Sequence, residues 1–241
     1  MYFAHFPYIH YDIEKNDSLR VVTHILKRAA FRQQIKDRAV LFYPHYIEEG
    51  DTPELLSYRV YGTSHYHWVI LLLNERLNPY FDWPLSYRSF MNYLAGKYPT
   101  TYKSLIFTAD VANHFTVGET VTSTNASSPS GVVKKWLPNL RQLVITVSSG
   151  TFGDNETVTG GTSNAVRTTL ITGGRVNYLD APHHYIDANG KEVNISTSPA
   201  PTAMTNREYE DDINETNRSI KILKPEFLPT VIEEFQSLLI D

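Results

Sequence analysis

The chain has no cysteine among its 241 residues. Disulfide bonds, thiolate nucleophiles and cysteine-ligated zinc are therefore excluded. An excess of positive charge is missing too, because 22 basic and 26 acidic side chains give a formal net charge of -4 at pH 7. The composition thus provides no basic surface for a phosphate backbone, and we expect no nucleic-acid partner.

Long apolar segments are also missing. The longest apolar run, Trp68 to Leu73, is far shorter than the ~20 residues that span a bilayer. The N-terminal stretch MYFAHFPYIHYDIEKND has no basic region followed by an apolar run, so it does not resemble a signal peptide. We therefore expect a soluble protein with no membrane partner.

No familiar catalytic motif is present: the sequence has no nucleophile elbow, phosphate loop, dinucleotide fingerprint or zinc-protease motif. His65 and His67 lie two residues apart in a helical pattern, where side chains cannot share an ion. His183 and His184 lie in a strand pattern, which places neighbouring side chains on opposite faces. We expect no metal, no cofactor and no enzymatic activity.

Residues 1–18 are rich in aromatic residues and contain Pro7, and we expect an extended arm.

Two amphipathic patterns lie near the two ends of the chain. A three- and four-residue spacing of apolar side chains predicts a helix over residues 18–39, and a similar spacing predicts a terminal helix. Their apolar stripes either contact partner proteins or pack on the chain's own core. The stripes consist of Leu19, Val22, Ile25 and Leu26, and of Val231, Ile232, Phe235 and Leu238.

Between them lies a well-delimited module. Residues 40–48 are β-branched and aromatic, which predicts a strand. Asp51 or Thr52 can cap a first helix that has Pro53 in its first turn, and Gly62 can end it. A second helix follows, with Trp68 in its apolar run, and Asn74 stops it.

The composition changes near Tyr102 to short Thr-, Val- and Gly-rich runs that extend to about Thr172 and predict strands. The segment Phe115–Thr122 returns as Phe152–Thr159, which indicates equivalent strands of one small antiparallel barrel or sandwich. A helix is predicted at 86–97, with Tyr87, Phe90, Met91 and Leu94 inward.

The rest of the chain predicts a hairpin around Asn189-Gly190, then an acidic helix start, the strand SIKIL and the terminal helix. The predicted class is α+β, a mostly helical body with a β insertion. We expect an arm at 1–18, a helix plus the module at 19–101, an inserted β-rich domain at 102–175, and a segment at 176–241 that completes the body.

The order strand, Gly-Asp-Thr, helix, Gly, helix, Asn resembles the LysM domain, a βααβ unit that binds peptidoglycan and chitin. YIEEGDTPELLSYRVYG carries its opening. Here Tyr66, Trp68 and Leu71 to Leu73 crowd the second helix, and this favours burial against protein over an open sugar groove.

The longer stretch YRVYGTSHYHWVILLLNERLNPYFDW resembles the signature of the baseplate wedge protein 53 family of contractile-tailed bacteriophages. The resemblance covers roughly residues 19–98 and 176–241. Its marks are the pair Tyr61-Gly62, a tryptophan before an aliphatic run, an asparagine, and Asn-Pro-Tyr followed by Trp83. The structural residues of the LysM-like module would be Gly50, Asp51, Thr52, Tyr61, Gly62, Trp68, Asn74, Pro79 and Trp83.

The resemblance implies a structural protein that clamps neighbouring wedge proteins, through their helical segments, during baseplate assembly. It implies several copies in a six-fold assembly, located in the virion tail baseplate and assembled in the host cytoplasm. The two apolar stripes are the candidate partner interface. The alternative is a peptidoglycan-binding LysM module of a tail-associated, cell-wall-targeting protein.

Overall fold

The computed structural model describes residues 2–15, 17–27, 30–78, 82–108, 114–123, 128–163 and 168–240. They form a mixture of helices and strands, and the predicted α+β class is confirmed. The chain divides into two compact units, a first unit of Met1–Ser86 with Asn214–Asp241 and a second unit of Tyr87–Ile213. In the described part of the chain, no helix is long and apolar enough to cross a membrane.

The regular elements are short. The helices are α1 Gln33–Lys36, α2 Pro53–Tyr61, α3 His67–Leu73, α4 Tyr87–Lys97, α5 Asn206–Arg218 and α6 Leu228–Ile240. The strands are β1 Tyr8–Tyr11, β2 Arg20–Thr23, β3 Phe42–Tyr46, β4 Tyr102–Phe107, β5 Thr120–Ser123, β6 Ser130–Leu137, β7 Gln142–Ser149, β8 Thr157–Gly160, β9 Thr168–Asn177, β10 Pro182–Ile186, β11 Glu192–Val193, β12 Thr202–Thr205 and β13 Ser219–Leu223.

The predicted helix over residues 18–39 is wrong. Its first part is strand β2, which pairs antiparallel with β1 from Tyr8↔Thr23 to Tyr11↔Arg20, and only the short helix α1 forms later. Val21, Val22 and Thr23 are β-branched, and a strand partner is available a few residues upstream. The helical spacing of apolar residues was therefore coincidental.

The predicted N-terminal arm is only partly extended. Tyr2–His5 form a 3-10 turn, Phe6 is buried in the core of the first unit, and only β1 is an extended strand. Some of the aromatic residues of this segment serve packing, because Tyr2 and Phe6 contact the core of the first unit.

The module elements converge on one small sheet. Strand β3 pairs antiparallel with β13, with Ser219↔Tyr46 at one end and Leu223↔Phe42 at the other. Helices α2 and α3 lie between these strands in the sequence. A shared core joins them, formed by Ile47, Leu56, Ile70, Trp83, Ile220 and Ile222.

The β-rich region forms a ring of six antiparallel strands in the order β4-β7-β6-β5-β8-β9, which closes because β4 pairs with both β7 and β9. The two sequence repeats are neighbours in it. Strand β5 of the first copy pairs with β8 of the second, with Thr122↔Thr159 in register. The equivalent residues Val121 and Val158 are both fully buried, so the prediction of equivalent strands is confirmed.

The glutamates of the two repeats tie each copy to the other. Glu119 accepts hydrogen bonds from the backbone N–H groups of Thr116, Thr162 and Ser163, at 2.7, 3.2 and 3.0 Å. The last two residues follow the second copy. The equivalent Glu156 accepts a hydrogen bond from the hydroxyl of Ser123, the residue that follows the first copy.

An ion pair between the exposed Lys97 and the buried Glu210 joins α4 to α5 in the second unit. The Glu210 carboxylate is almost wholly buried and accepts hydrogen bonds from Lys97 Nζ at 2.6 Å and Tyr98 Oη at 2.7 Å. Burial alone would raise the pKa of Glu210, but these donors hold it below its ordinary value. On α4, Phe90 is buried as predicted and so is Leu94. Tyr87 and Met91 were predicted inward and are exposed instead.

A three-stranded sheet of order β11-β10-β12 completes the second unit. The predicted hairpin around Asn189-Gly190 is confirmed as β10 and β11, but its turn differs from the predicted primed turn. Only Gly190 has a positive φ, of 77°, and Asp187 N–H donates to Lys191 O across the loop at 2.9 Å. A primed type I′ turn would require positive φ at both central residues.

Replacement of Glu119 by Gln is expected to change how stability depends on pH. Burial alone would raise the pKa of Glu119, but the N–H groups of Thr116, Ser163 and Thr162 bind the ionised form and hold its pKa below the ordinary value. A lowered folded-state pKa gives stability that is fully present above the unfolded pKa of about 4.3 and is lost as pH falls through the folded value.

We therefore expect the free energy of unfolding of Glu119→Gln to be lower near neutral pH and to decline less in acid. Urea unfolding between neutral pH and acid measures this, and the control is Asp154→Asn, at an exposed residue in the loop between β7 and β8. Parallel pH profiles for wild type and Glu119→Gln would contradict the assignment.

Candidate functional site

The Gly50-Asp51-Thr52 turn is held by its own side chains. Asp51 is buried, and its carboxylate accepts hydrogen bonds from Glu48 N–H at 3.2 Å and from Arg59 Nη1 at 2.6 Å. Thr52 Oγ1 accepts from Leu55 N–H at 3.2 Å, which makes Thr52 the cap of α2. Thr52 satisfies a free N–H of the first helical turn, and Asp51 fixes the loop before it.

Gly62 separates the two helices as predicted. Its φ is 73°, a left-handed conformation that costs other residues energy, and its N–H donates to Tyr58 O at 3.0 Å. Thr63 Oγ1 then accepts from His65 N–H at 3.3 Å and begins the turn that leads into α3. The sequence therefore specifies both helix boundaries locally.

Asn74 does more than stop α3. Its Nδ2 donates to Ile70 O and to Lys221 O, and its Oδ1 accepts from Lys221 N–H, each at 2.8 Å. The amide side chain thus binds the N–H and C=O of one residue of β13, as a neighbouring strand would.

Tyr61 binds the next outward-facing backbone group of β13, two residues after Lys221. Its hydroxyl donates to Leu223 O at 3.1 Å. Burial raises the pKa of Tyr61, so its hydroxyl remains a donor. On β3, the other strand of this sheet, Pro44 has no backbone N–H, so no donor is left unpaired at that position. Asn74, Tyr61 and Pro44 together leave this small sheet with few free backbone groups.

Trp83 links the end of the matched signature back to the turn. Its indole N–H donates to Asp51 O at 3.0 Å, and the ring lies in the core with Ile47 and Leu56. A cleft of about 290 Å³ lies beside this contact, lined by residues 48–52, 83–86 and Arg218. Pro79, which the sequence also assigned to the module, lies outside the described residues.

Trp68 occupies the centre of a second core in the first unit. Its ring is buried and lies 4.7 Å from the ring of Phe235 and 5.5 Å from that of Tyr2, measured between centroids. Phe6 and Phe31 also contribute to this core. Trp68 therefore connects α3 to α6 and to the N-terminal turn, and it has a structural position.

The candidate partner interface divides into two groups. Leu19, Ile25 and Leu26 are exposed and Val22 is half-buried, although they lie on a strand and a turn instead of the predicted helix. The terminal helix is confirmed as α6, but Val231 and Phe235 are buried in the unit's own core. Ile232 and Leu238 are half-buried. Of the two alternatives for the α6 stripe, packing on the chain's own core therefore holds for Val231 and Phe235.

His183 and His184 are closer together than a regular strand allows. Their Nδ1 atoms are 2.9 Å apart, so the prediction that they occupy opposite faces is wrong. A bulge between Pro182 and His184 changes the alternation, and the His183 ring stacks on Tyr209 at 3.7 Å. Among the described residues, no group of three potential ligands could hold a metal ion.

Replacement of Trp68 by Ala is expected to lower the free energy of unfolding by about 3–5 kcal/mol, because it removes a large buried ring. The matched control is Trp68→Phe. Trp68 Nε1 has no hydrogen-bond partner in the described structure, so phenylalanine breaks no polar contact and should lose much less. Chemical denaturation measures both variants. Equal losses for Ala and Phe would show that the ring's packing is not the source of stability.

No curated protein matches the chain. A family model described as Base plate wedge protein 53 matches residues 1–107. The matched region contains the turn, α2, α3, Trp68, Asn74 and Trp83. This family is a structural baseplate family and not a known enzyme family. The match covers less than half of the chain and supports the resemblance found in the sequence.

Proposed function

We propose that this chain is a structural component of a contractile phage tail baseplate wedge, where it clamps neighbouring wedge proteins together during assembly. The observation that carries the proposal is the family match over residues 1–107, which contain β3, α2 and α3. Purified tail particles should contain the chain. Particles that assemble normally in its absence would contradict the proposal.

The module suits a clamp because its polar groups are already occupied. We propose that β3, α2, α3 and β13 form a LysM-like βααβ unit whose second strand comes from the end of the chain. Asp51, Thr52 and Asn74 make their hydrogen bonds inside the unit. A support of this kind keeps its shape when partners bind its outer faces.

The apolar side chains on the outer surface mark where partners would bind. Leu55 and Tyr58 lie three residues apart on α2 and are both exposed, a spacing that suits a helix packing across them. Leu19, Ile25 and Leu26 provide a second exposed apolar group. We further propose that several copies act in a six-fold assembly built in the host cytoplasm, without catalysis or a cofactor.

A second candidate is a peptidoglycan-binding module, which the cleft beside Gly50-Asp51-Thr52 favours. The polar groups there argue against it, since the Trp83 indole N–H already donates to Asp51 O, the Asp51 carboxylate already accepts from Arg59, and Trp83 is buried. Pelleting with purified cell-wall sacculi separates the two functions. We expect the chain to stay in solution, and saturable co-pelleting would favour the sugar-binding alternative.

Ile25→Glu tests the exposed part of the interface. Ile25 is 62% exposed, so the free chain should stay folded by circular dichroism while its incorporation into baseplates falls at least tenfold. Val117→Glu is the matched control, because Val117 is 66% exposed and lies outside residues 1–107.

The two variants give distinct outcomes. Normal incorporation of Ile25→Glu would remove Ile25 from the interface. Equal failure of Val117→Glu would show that added negative charge, and not the Ile25 surface, disturbs assembly.

A further inference from the structure

The two small sheets of the first unit differ in how their edges are treated. In the β3–β13 sheet, Asn74 and Tyr61 bind the outward backbone groups of β13, and Pro44 lacks an N–H on β3. Among the described residues, no equivalent side chain lies on the edges of the β1–β2 sheet. In the part of the chain that the structure describes, no third strand pairs with either of its edges.

The register shows which backbone groups of β2 are open. His24 N–H donates to Pro7 O at 2.8 Å, and the pairing continues with Ile9↔Val22. Antiparallel strands alternate between pairs that exchange hydrogen bonds and pairs that do not. The N–H and C=O groups of Val21 therefore point away from β1, and so does the N–H of Thr23.

The side chains around this edge are also uncovered. Tyr8 is 73% exposed and Val21 is 63% exposed, and the register puts both on one face of the hairpin. A two-stranded hairpin in water is marginally stable by itself. An open edge beside an exposed apolar face is the usual setting for the addition of a further strand.

We propose that β2 is a docking edge that receives an extended segment of a neighbouring baseplate protein by antiparallel or parallel strand addition. This rests on the proposed function, because the hairpin lies within residues 1–107, whose family match implies association with other baseplate proteins. The backbone of the docking segment pairs with Val21 and Thr23, and the apolar side chains of that segment cover Tyr8 and Val21.

The charge near the turn gives the chemistry of the partner. Between the strands lie Asp12, Glu14 and Asp17 against the single Lys15, a net charge of -2 from three acidic groups and one basic group. Glu14 binds Arg20 at 2.7 Å, whereas Asp12 Oδ1 has no hydrogen-bond partner among the described residues. The segment that docks therefore carries a basic residue next to this turn, and binding weakens with added salt.

Val21→Pro in the full chain tests the edge directly. Proline removes the outward N–H and places its ring on the edge, yet breaks no hydrogen bond to β1, so the hairpin should survive. His10→Pro is the matched control on the outer edge of β1, at the residue paired with Val21. The probe is a baseplate preparation from phage that lacks this protein, and co-sedimentation measures uptake.

Wild type and His10→Pro should be taken up equally, and Val21→Pro at least tenfold less. Uptake of Val21→Pro at the wild-type level would overturn the docking edge. If wild type itself is not taken up, the clamp function fails and the docking edge fails with it.

Amide hydrogen exchange on the wild-type chain gives a readout that does not depend on a variant folding. In the free protein, Val21 and Thr23 should exchange faster than Val22, whose N–H bonds β1. In the baseplate, Val21 and Thr23 should slow at least tenfold. Unchanged exchange in the baseplate would overturn the proposal. So would slowing that depends on the concentration of the free protein, because a second copy would then occupy the edge.

Discussion

The pairing of β3 with β13 is the contact on which the first unit depends. It joins Tyr46 to Ser219 across most of the sequence. On the outer edge of β13, two hydrogen bonds between Asn74 and Lys221 attach the end of α3 to the same sheet. The same pairing brings α6 into the unit, where Phe235 meets Trp68. The family-matched residues 1–107 contain neither β13 nor α6, so they lack half of the sheet and one wall of the core. The C-terminal segment is therefore part of the sheet and the core of the first unit.

Local chemistry made much of this module predictable from the sequence. The Thr52 cap, the Pro53 first turn, the left-handed Gly62 and the stop at Asn74 all depend on a few neighbouring residues. The SIKIL strand and the terminal helix were predicted for the same reason. What the sequence could not show is where Asn74 and Tyr61 send their hydrogen bonds. Their partners Lys221 and Leu223 lie far along the chain, and no local signal marks them.

The errors have a common physical cause, which is that periodicity does not identify the partner of an apolar face. Leu19, Val22, Ile25 and Leu26 have helical spacing, yet β1 provides a strand partner for this segment. Phe235 belongs to an apolar stripe with helical spacing, and it is fully buried against Trp68. His183 and His184 meet because a bulge breaks the strand alternation.

The second unit shows how a short repeat can organise a small fold. The repeated glutamates Glu119 and Glu156 each bind groups that follow the opposite copy, so each copy holds the other in register. Glu119 is buried and its acceptors are filled by N–H donors, which fixes the charge in place. A polar anchor of this kind specifies one pairing of β5 with β8, because a slip of one residue would leave a buried carboxylate without donors.

The treatment of strand edges separates the parts of the first unit that must stay rigid from the part that is open to partners. An unpaired edge exposes a free chain to association, and proteins usually cover such edges. Here Asn74 and Tyr61 bind the outer edge of β13, and Pro44 lies on the outer edge of β3. Among the described residues, the β1–β2 hairpin has no equivalent residues. A protein that functions alone gains nothing from an open edge beside exposed apolar side chains. In a protein that assembles with partners, as we propose for this chain, the same edge would provide directional backbone contacts at a defined place on a rigid support.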